Sequence, residues 1–419
     1  MLDIKFIREN KDLVSAGAKK KRVSFDVAAL IAVDDKRRSL MTSIEKHRAE
    51  QNEASMRIAK APTGERSKIV ESMKFVKESL AKDEESLKGV MKDWQTLMLA
   101  VPNIPDISVP EGDETASKEV KSWGTKPVFD FPPKNHIELM EKLDLADFEK
   151  GAEVAGFRGY YLKNEAVTMN FALWQFVQNH FAKKNYSPMI VPSLVRRQAL
   201  LGTGYLPAGE EDLYKTQDGD YLSGTGEVGA MSYFSDKVLE KKDLPIKVLA
   251  FSTCFRREAG SHGKDTKGII RVHEFYKLEQ VIICEANHEE SVKYHEELRR
   301  NSEEILEALN LPYHTIINAS GDIGLGQVKK YDLEAWVPSQ NAYRETHSCS
   351  YFHDFQTRRL NIRYKDADGK LKFAHSLNNT ALATPRILVP ILENNQQKDG
   401  SIKIPEVLVP YMGKSVIGP

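Results

Sequence analysis

Phe255-Arg256-Arg257-Glu258-Ala259-Gly260-Ser261, running on to Arg271-Val272-His273-Glu274-Phe275-Tyr276-Lys277-Leu278-Glu279, is the stretch whose reading decides the fold. Alternating residues on either side predict two antiparallel strands closed by a turn. The turn, Gly260-Ser261-His262-Gly263-Lys264-Asp265-Thr266-Lys267-Gly268, carries the glycines and polar residues of a mobile loop. The hairpin gathers arginines, one aromatic ring and two carboxylates. Arginine offers planar, paired donors to phosphate oxygens. Phe275 offers a flat face to a base. Glu258 and Glu279 offer acceptors to exocyclic or ammonium N–H groups. A single Arg/Glu pair would more often be a solvated charged face. The whole string in one hairpin suits a site that holds a triphosphate, a purine and an amino group together.

A chain of 419 residues has room for two or three domains. At 41% hydrophobic and 29% charged it can fill a large core and face water. Lys plus Arg equals Asp plus Glu at 60 each, so the net charge argues neither for nor against a polyanionic partner. Cys254, Cys284 and Cys349 are odd in number and far apart, with no Cys-x-x-Cys pair. Neither a disulfide framework nor a zinc cluster is expected, and a reducing, cytoplasmic setting fits. Residues 1–10 carry early acids and no apolar run of signal length. No stretch approaches the roughly 20 apolar residues of a membrane span.

Upstream of residue 104 a heptad pattern dominates. Seam positions recur at Leu30, Val33, Arg37, Leu40, Ile44, His47, Gln51, Ala54 and Ile58. After a break at Ala61-Pro62-Thr63-Gly64 they recur at Ile69, Met73, Val76, Leu80, Asp83, Leu87, Val90, Trp94 and Leu97. Alternating three- and four-residue spacing predicts an antiparallel coiled-coil hairpin. Each helix of roughly 30 residues would reach about 45–50 Å. Periodicity alone leaves open a dimerisation spacer or an RNA-binding arm. Arg57, Lys60, Arg66 and Lys68 near the turn suit phosphates, though acids are mixed among them. Val101-Pro102-Asn103-Ile104-Pro105 ends the arm, and the Pro- and acid-rich segment after it reads as a linker. Gly156 to Leu162 reads as a strand, Asn164 to Lys184 as an amphipathic helix, and Tyr186 to Pro192 as a short strand. Segments rich in Val, Ile, Phe and Tyr then alternate with turns through residue 364, as in a mainly antiparallel sheet.

Phe-Arg-x-Glu-Ala-Gly-Ser…Arg-x-His-x-Phe-x-Lys-x-Glu resembles the second signature motif of class II aminoacyl-tRNA synthetases, in its seryl-tRNA synthetase form. The helix–strand–Pro unit resembles the first motif, which in that family forms the dimer interface. Ser376 to Asn394 resembles the third. The resemblance implies an α+β protein: a tRNA-binding coiled-coil arm over 1–104, a linker over 105–122 and a catalytic domain over 123–419, mainly antiparallel sheet flanked by helices. It implies a homodimeric ligase that converts L-serine and ATP to seryl-adenylate and charges tRNA(Ser), and it leaves open whether tRNA(Sec) is a second substrate. Mg²⁺ would accompany ATP. That chemistry needs positioning and charge neutralisation more than a protein nucleophile.

Residue by residue, the resemblance assigns catalytic roles to Arg256 and Arg386. Arg256 would meet the α-phosphate and the serine carboxylate, and Arg386 the γ-phosphate. Arg257, Glu258, Arg271, Val272 and Phe275 would bind ATP, with Glu258 on the adenine amino group, Phe275 on the ring and Arg271 on the distal phosphates. Glu345-Thr346-His347-Ser348 would also meet ATP, and Glu345 and Ser348 would hold Mg²⁺, a hard ion that prefers oxygen ligands. Thr225-Gly226-Glu227, Arg256, Glu279 and Thr380 would form the serine pocket. Gly226 stands where the family usually has alanine, His347 and Thr380 where it has serine, and Ala381 and Pro385 where it has glycine. Two other readings are weighed: a synthetase-like ligase that loads a carrier protein, and a non-catalytic RNA-binding paralogue. The first would lack the long arm, and the second would lose its phosphate-binding arginines.

Overall fold

The computed structural model describes every residue except Ala61, Ser261, His262, Lys264 and Pro419, and leaves aside the side chain of Thr63. Part of the loop quoted above, Ser261, His262 and Lys264, therefore lies outside the described residues. The chain divides into two units. One comprises residues 2–19 and 23–102; the other comprises Met1, residues 20–22 and residues 103–419.

The helical unit opens with α1 (Ile4–Glu9) and α2 (Lys11–Lys20) and continues as α3 (Val27–Lys60) and α4 (Thr63–Ala100). Asp26 starts α3 by accepting from the backbone N–H groups of Ala28 and Ala29 at 2.8 and 3.0 Å. Pro62, extended at φ −60° and ψ 154°, breaks the chain between α3 and α4. Every seam residue named above is buried or half-buried. Polar seam positions Arg37, His47 and Asp83 meet partners across the hairpin. Ser43 Oγ donates to Asp83 Oδ2 at 2.6 Å, and His47 Nδ1 lies 3.4 Å from the same oxygen. At the other end Asp34, 1% exposed, accepts from Arg8 Nη1 at 3.0 Å, Arg37 Nη2 at 2.8 Å and Trp94 Nε1 at 3.1 Å. That carboxylate ties α1, α3 and α4 at one point.

The larger unit is built on an eight-stranded sheet. Its strands are β1 (Lys118–Trp123), β2 (Ser187–Ile190), β3 (Ile246–Phe255), β4 (Glu274–Cys284), β5 (Tyr313–Ile317), β6 (Lys329–Val337), β7 (Ala342–His353) and β8 (His375–Thr384). The order across the sheet is β1-β5-β6-β7-β8-β4-β3-β2. Every pairing is antiparallel except the parallel pairing of β2 with β3. The expected hairpin is β3–β4, with Phe255 opposite Glu274. Helices α5 (Asn164–Ala182) and α6 (His288–Ala308) flank the sheet. Leu173, Val177 and Phe181 of α5 and Leu298, Ile305 and Leu306 of α6 enter the main core, where apolar burial supplies the driving force.

Two local expectations change. Residues 118–122, read as linker, belong to β1. Strand β1 is an edge strand with charged, mostly exposed side chains, so its composition imitates a linker. Residues 156–160, read as strand, are not strand; only Tyr161–Leu162 is. Gly156 and Arg158 take positive φ, 78° and 65°, which no strand accommodates.

Asp34→Ala leaves two arginines and an indole N–H without their shared acceptor. It should destabilise the helical unit by about 3 kcal/mol, as removal of one partner from a buried ion pair does. Hydrogen exchange along α3 and α4 checks this, since the large sheet should keep its protection.

Candidate active site

The β3–β4 hairpin delivers the first group of residues. Arg256 follows β3 directly, and its N–H bonds His273 O at 3.0 Å, closing the hairpin base. Along β4 the two-residue period sends Phe275, Lys277 and Glu279 into one cavity. Gln280 points the other way. Its side chain bonds Ser302 Oγ at 3.0 Å and accepts from Asn301 Nδ2 at 2.9 Å, both on α6. Ser302 Oγ in turn donates to Thr380 O on β8 at 2.8 Å. This buried network fixes which face of β4 and β8 meets the cavity. Gly268, at φ +78°, lets the loop pass His136, where a Cβ would fall 2.2 Å from Nε2.

The cavity measures about 400 Å³. It gathers Glu227, Arg256, Glu258, Val272, Phe275, Glu279, Glu345, Thr346, Ser348, Thr380 and Arg386. Those are candidates from five separate stretches of sequence, brought together by sheet pairing. Glu279 faces Thr380 across β4–β8. Arg256 stacks over the Phe275 ring with its guanidinium carbon 5.3 Å from the centroid. Gly224 allows the approach of Arg256, whose Nε bonds Gly224 O at 3.3 Å. Arg386 is aimed by bonds from Nε to Ile270 O at 2.9 Å and from Nη1 to Glu345 O at 3.2 Å.

Five other candidates do not line the cavity. Arg271 stands beside it and donates to Glu258 Oε2 at 2.6 Å, so it orients a lining carboxylate. Arg257 turns outward to Glu211 O at 3.2 Å. Thr225 caps the helix Gly226–Ser232, accepting from Glu227 N. Gly226 packs on β3: a Cβ there would meet Ser252 Oγ at 3.2 Å and Ala250 O at 3.3 Å. His347 falls between Thr346 and Ser348, and strand alternation turns it into the core. Its Nε2 lies 3.3 Å from Ala381 O and its Nδ1 2.8 Å from Thr346 Oγ1. Burial pushes its pKa down to about 4, so the ring is neutral at physiological pH. The His347 side chain therefore does not line the cavity, unlike its neighbours Thr346 and Ser348.

The charges inside are unbalanced in a specific way. Glu227 and Glu279 are 3% and 2% exposed. Burial, and then the charge of Glu279, push the Glu227 carboxyl above the usual carboxylate range, despite hydrogen bonds from Gln356 and Tyr205. Burial also raises Glu279 against the pull of Lys277 and Arg256. Lys277 Nζ lies 2.7 Å from Glu279 Oε2, yet that oxygen lacks a well-aligned hydrogen bond among the described residues. A buried, poorly satisfied carboxylate oxygen facing a cavity suits an incoming ammonium or hydroxyl donor. At the other end Arg386 is lowered by burial and by Arg256 and Arg271, partly offset by Glu345. Burial works to raise Glu345, but Arg386, Lys330 and Arg256 outweigh it and hold it low. One end of the cavity thus calls for a cation and the other for an anion.

Sequence reasoning passed over several lining or supporting groups. Tyr205 donates to Glu227 Oε2 at 2.7 Å, and Gln356 Nε2 to Oε1 at 2.5 Å. No local pattern marks Tyr205. Lys277 was legible, since it shares the strand face of Phe275 and Glu279.

Residues 1–105 match the model of the seryl-tRNA synthetase N-terminal domain, and residues 214–395 that of the class II tRNA synthetase core domain (G, H, P, S and T). The chain is similar to a serine–tRNA ligase of Deinococcus radiodurans, 43% identical across all of this chain and 99% of that protein. It is similar to the seryl-tRNA synthetase of Pyrococcus horikoshii solved with ATP, at 36% identity, a TM-score of 0.91 and full coverage of both chains. It is also similar to the cytoplasmic serine–tRNA ligase of Naegleria fowleri solved with AMP, at 30% identity and a TM-score of 0.88, covering 100% of this chain and 99% of that one.

Glu227→Gln keeps the shape and removes the charge. A carboxyl whose native pKa is raised opposes folding once pH climbs past the unfolded value, and fully so above the native value. The variant should therefore melt at higher temperature than the unaltered chain at pH 7–8, and the gap should close near pH 4. Ligand-free melting curves across that range check the sign.

Proposed function

The chain belongs to the seryl-tRNA synthetase family, and from that premise we propose that it activates L-serine with ATP and charges the 3′ end of tRNA(Ser). The observation that carries this reading is the joining of two buried carboxylates, Glu227 and Glu279, to Arg256, Phe275 and Arg386 in one cavity. A substrate ammonium and hydroxyl would meet the carboxylate end. Thr380 faces Glu279 across β4–β8 and helps to line that pocket. A pocket built to pair with a hydroxyl rejects alanine, because its polar group would be left unpaired. Adenine would lie on Phe275, with Glu258 accepting from its amino group.

In the first step a serine carboxylate oxygen attacks the α-phosphorus and pyrophosphate leaves. Arg256 bridges the two reactants, lowering their mutual repulsion and holding them in line. Arg386 neutralises the γ-phosphate, while Arg271 acts through Glu258. In the second step the terminal ribose hydroxyl of tRNA attacks the seryl carbonyl and AMP leaves. Glu345 and Ser348, a carboxylate and a hydroxyl on one strand face, fit Mg²⁺ as hard oxygen ligands. Among the described residues no cluster of three His, Cys, Asp or Glu side chains suits a metal, so phosphate oxygens would complete its shell. Bound there, the ion would supply charge neutralisation at the β- and γ-phosphates.

The α3–α4 hairpin would grip tRNA, with Arg57, Lys60, Arg66 and Lys68 near its turn as phosphate contacts. Phe157, Phe171 and Ile190, exposed at 59%, 60% and 83%, support a homodimer through the α5 face. A cytoplasmic setting suits the three buried, unpaired cysteines. No helix of the described residues is long and apolar enough to cross a membrane.

Serine-dependent ATP–pyrophosphate exchange tests the site. Arg256→Ala and Glu279→Ala should each lower it by at least about a hundredfold; exchange that persists in both variants overturns the assignment. Deletion of residues 30–97 should spare exchange and abolish tRNA charging. Undiminished charging by the truncated chain would remove the arm from tRNA recognition.

A further inference from the structure

One wall of the cavity is the backbone of Gly324-Leu325-Gly326-Gln327, a segment that carries none of the residues assigned above. It stands beside Ser350, Asn378 and Thr380. Ser350 pairs with Asn378 across β7–β8, two residues along β8 from Thr380 and away from Arg386. The segment therefore walls the end of the cavity assigned to serine rather than the phosphate end.

The segment closes one turn of its own, with Gln327 N–H bonding Gly324 O at 3.1 Å, but two of its four residues are glycines, which resist distortion weakly. Lys21 holds it. Its side chain is 4% exposed, and its Nζ donates to Gly324 O at 2.8 Å, Leu325 O at 2.9 Å and Gln327 O. Three carbonyl acceptors use all three N–H donors of an ammonium, a number that only the protonated form supplies. Burial pushes this ammonium's pKa well below the usual lysine range, with no carboxylate to counter it. An apolar side chain would fill the same space without that desolvation cost. What lysine adds is the simultaneous orientation of three backbone carbonyls.

Asn103 completes the hold. It is 3% exposed; its N–H bonds Leu325 O at 2.9 Å, and its Nδ2 bonds Gly326 O at 3.0 Å and Phe352 O at 2.8 Å. All four carbonyls of the segment are thus taken by two residues more than 200 positions upstream. Lys21 and Asn103 stand where the chain leaves this unit for the helical one and where it returns. On the cavity side Gln327 Nε2 donates to Ser350 Oγ at 2.7 Å, passing the wall's position to β7.

We infer that Lys21 and Asn103 are positioning residues for the serine end of the cavity: they fix the Gly324–Gln327 wall and through it set amino-acid affinity without touching the substrate. The inference rests on the serine-activating reading above. Lys21→Met keeps the stem and removes the donors. In pyrophosphate exchange it should raise the KM for serine about tenfold and leave the KM for ATP and kcat within about twofold. Hydrogen exchange should quicken at 324–327 and not elsewhere in the sheet. Arg22→Ala, at an exposed neighbour, should change neither constant. An unchanged serine KM, or an equal rise in both KM values, overturns the inference while leaving the serine reading in place. If Lys21→Met does not fold, Asn103→Ala carries the same test with the same two outcomes. Exchange in the unaltered chain that ignores serine would instead overturn the serine reading itself.

Discussion

The register of β4 between β3 and β8 is the constraint on which the site depends. Strand side chains alternate faces, so a slip of one residue would turn Phe275, Lys277 and Glu279 into the core and Gln280 into the cavity. Leu278, Ile282 and Cys284, on the same face as Gln280 and all in the main core, already oppose that slip. The network Gln280–Asn301–Ser302–Asn379 adds a directional constraint: these side chains are all 1% exposed or less, and this register aligns their hydrogen bonds with one another and with the carbonyls of Leu298 and Thr380. Buried polar groups that pair in one alignment and in no other specify it sharply.

The same sheet holds charges that burial does not favour. Glu227 and Glu279 are raised, Arg386 is lowered, and Lys277 is used up against a carboxylate it does not fully satisfy. Each group would be more comfortable in water. A folded domain carries such groups when a ligand of opposite charge relieves them, and the surrounding sheet must supply the stability they remove. Separation of the two signs along one cavity explains how the site would order an amino acid and a triphosphate in a single direction. The ammonium would be drawn to one end and the phosphates to the other, with Arg256 between them.

Much of this was legible before any coordinate. The heptad seam survives position by position, because a 3.5-residue period leaves a helix one face to bury. The hairpin string survives because its chemistry is local. What sequence did not reveal is set by pairing at a distance. Strand β1 reads as a linker, since an edge strand needs no apolar alternation. The run 156–160 reads as a strand because its aromatics hide the positive φ of Gly156 and Arg158. His347 sits in the middle of a binding string, yet strand alternation removes it from the cavity. Tyr205, Lys21 and Asn103 act on residues far along the chain, and nothing in their own neighbourhoods announces it.

Three departures from the family pattern, Gly226, His347 and Ala381, make sense once those distant pairings are considered together. Pairing of β4 with β8 shifts between Leu278 and Glu279, so that Leu278 faces Leu382 while Glu279 faces Thr380. Ala381 is the residue left over, and a bulged residue leaves backbone groups without ladder partners. His347 Nε2 lies 3.3 Å from the Ala381 carbonyl oxygen. A serine at 347 is too short to span the space an imidazole fills. A glycine at 381 would leave a gap that the alanine methyl, fully buried, occupies. The two substitutions therefore belong together, behind the site. Gly226 is explained from the other side: Ser252 Oγ already fills the position beyond it, so the alanine methyl usual in the family would press on a neighbour at 3.2 Å. These three changes answer packing demands behind the cavity, whereas Thr380 and Pro385 line it and nothing in the structure explains them.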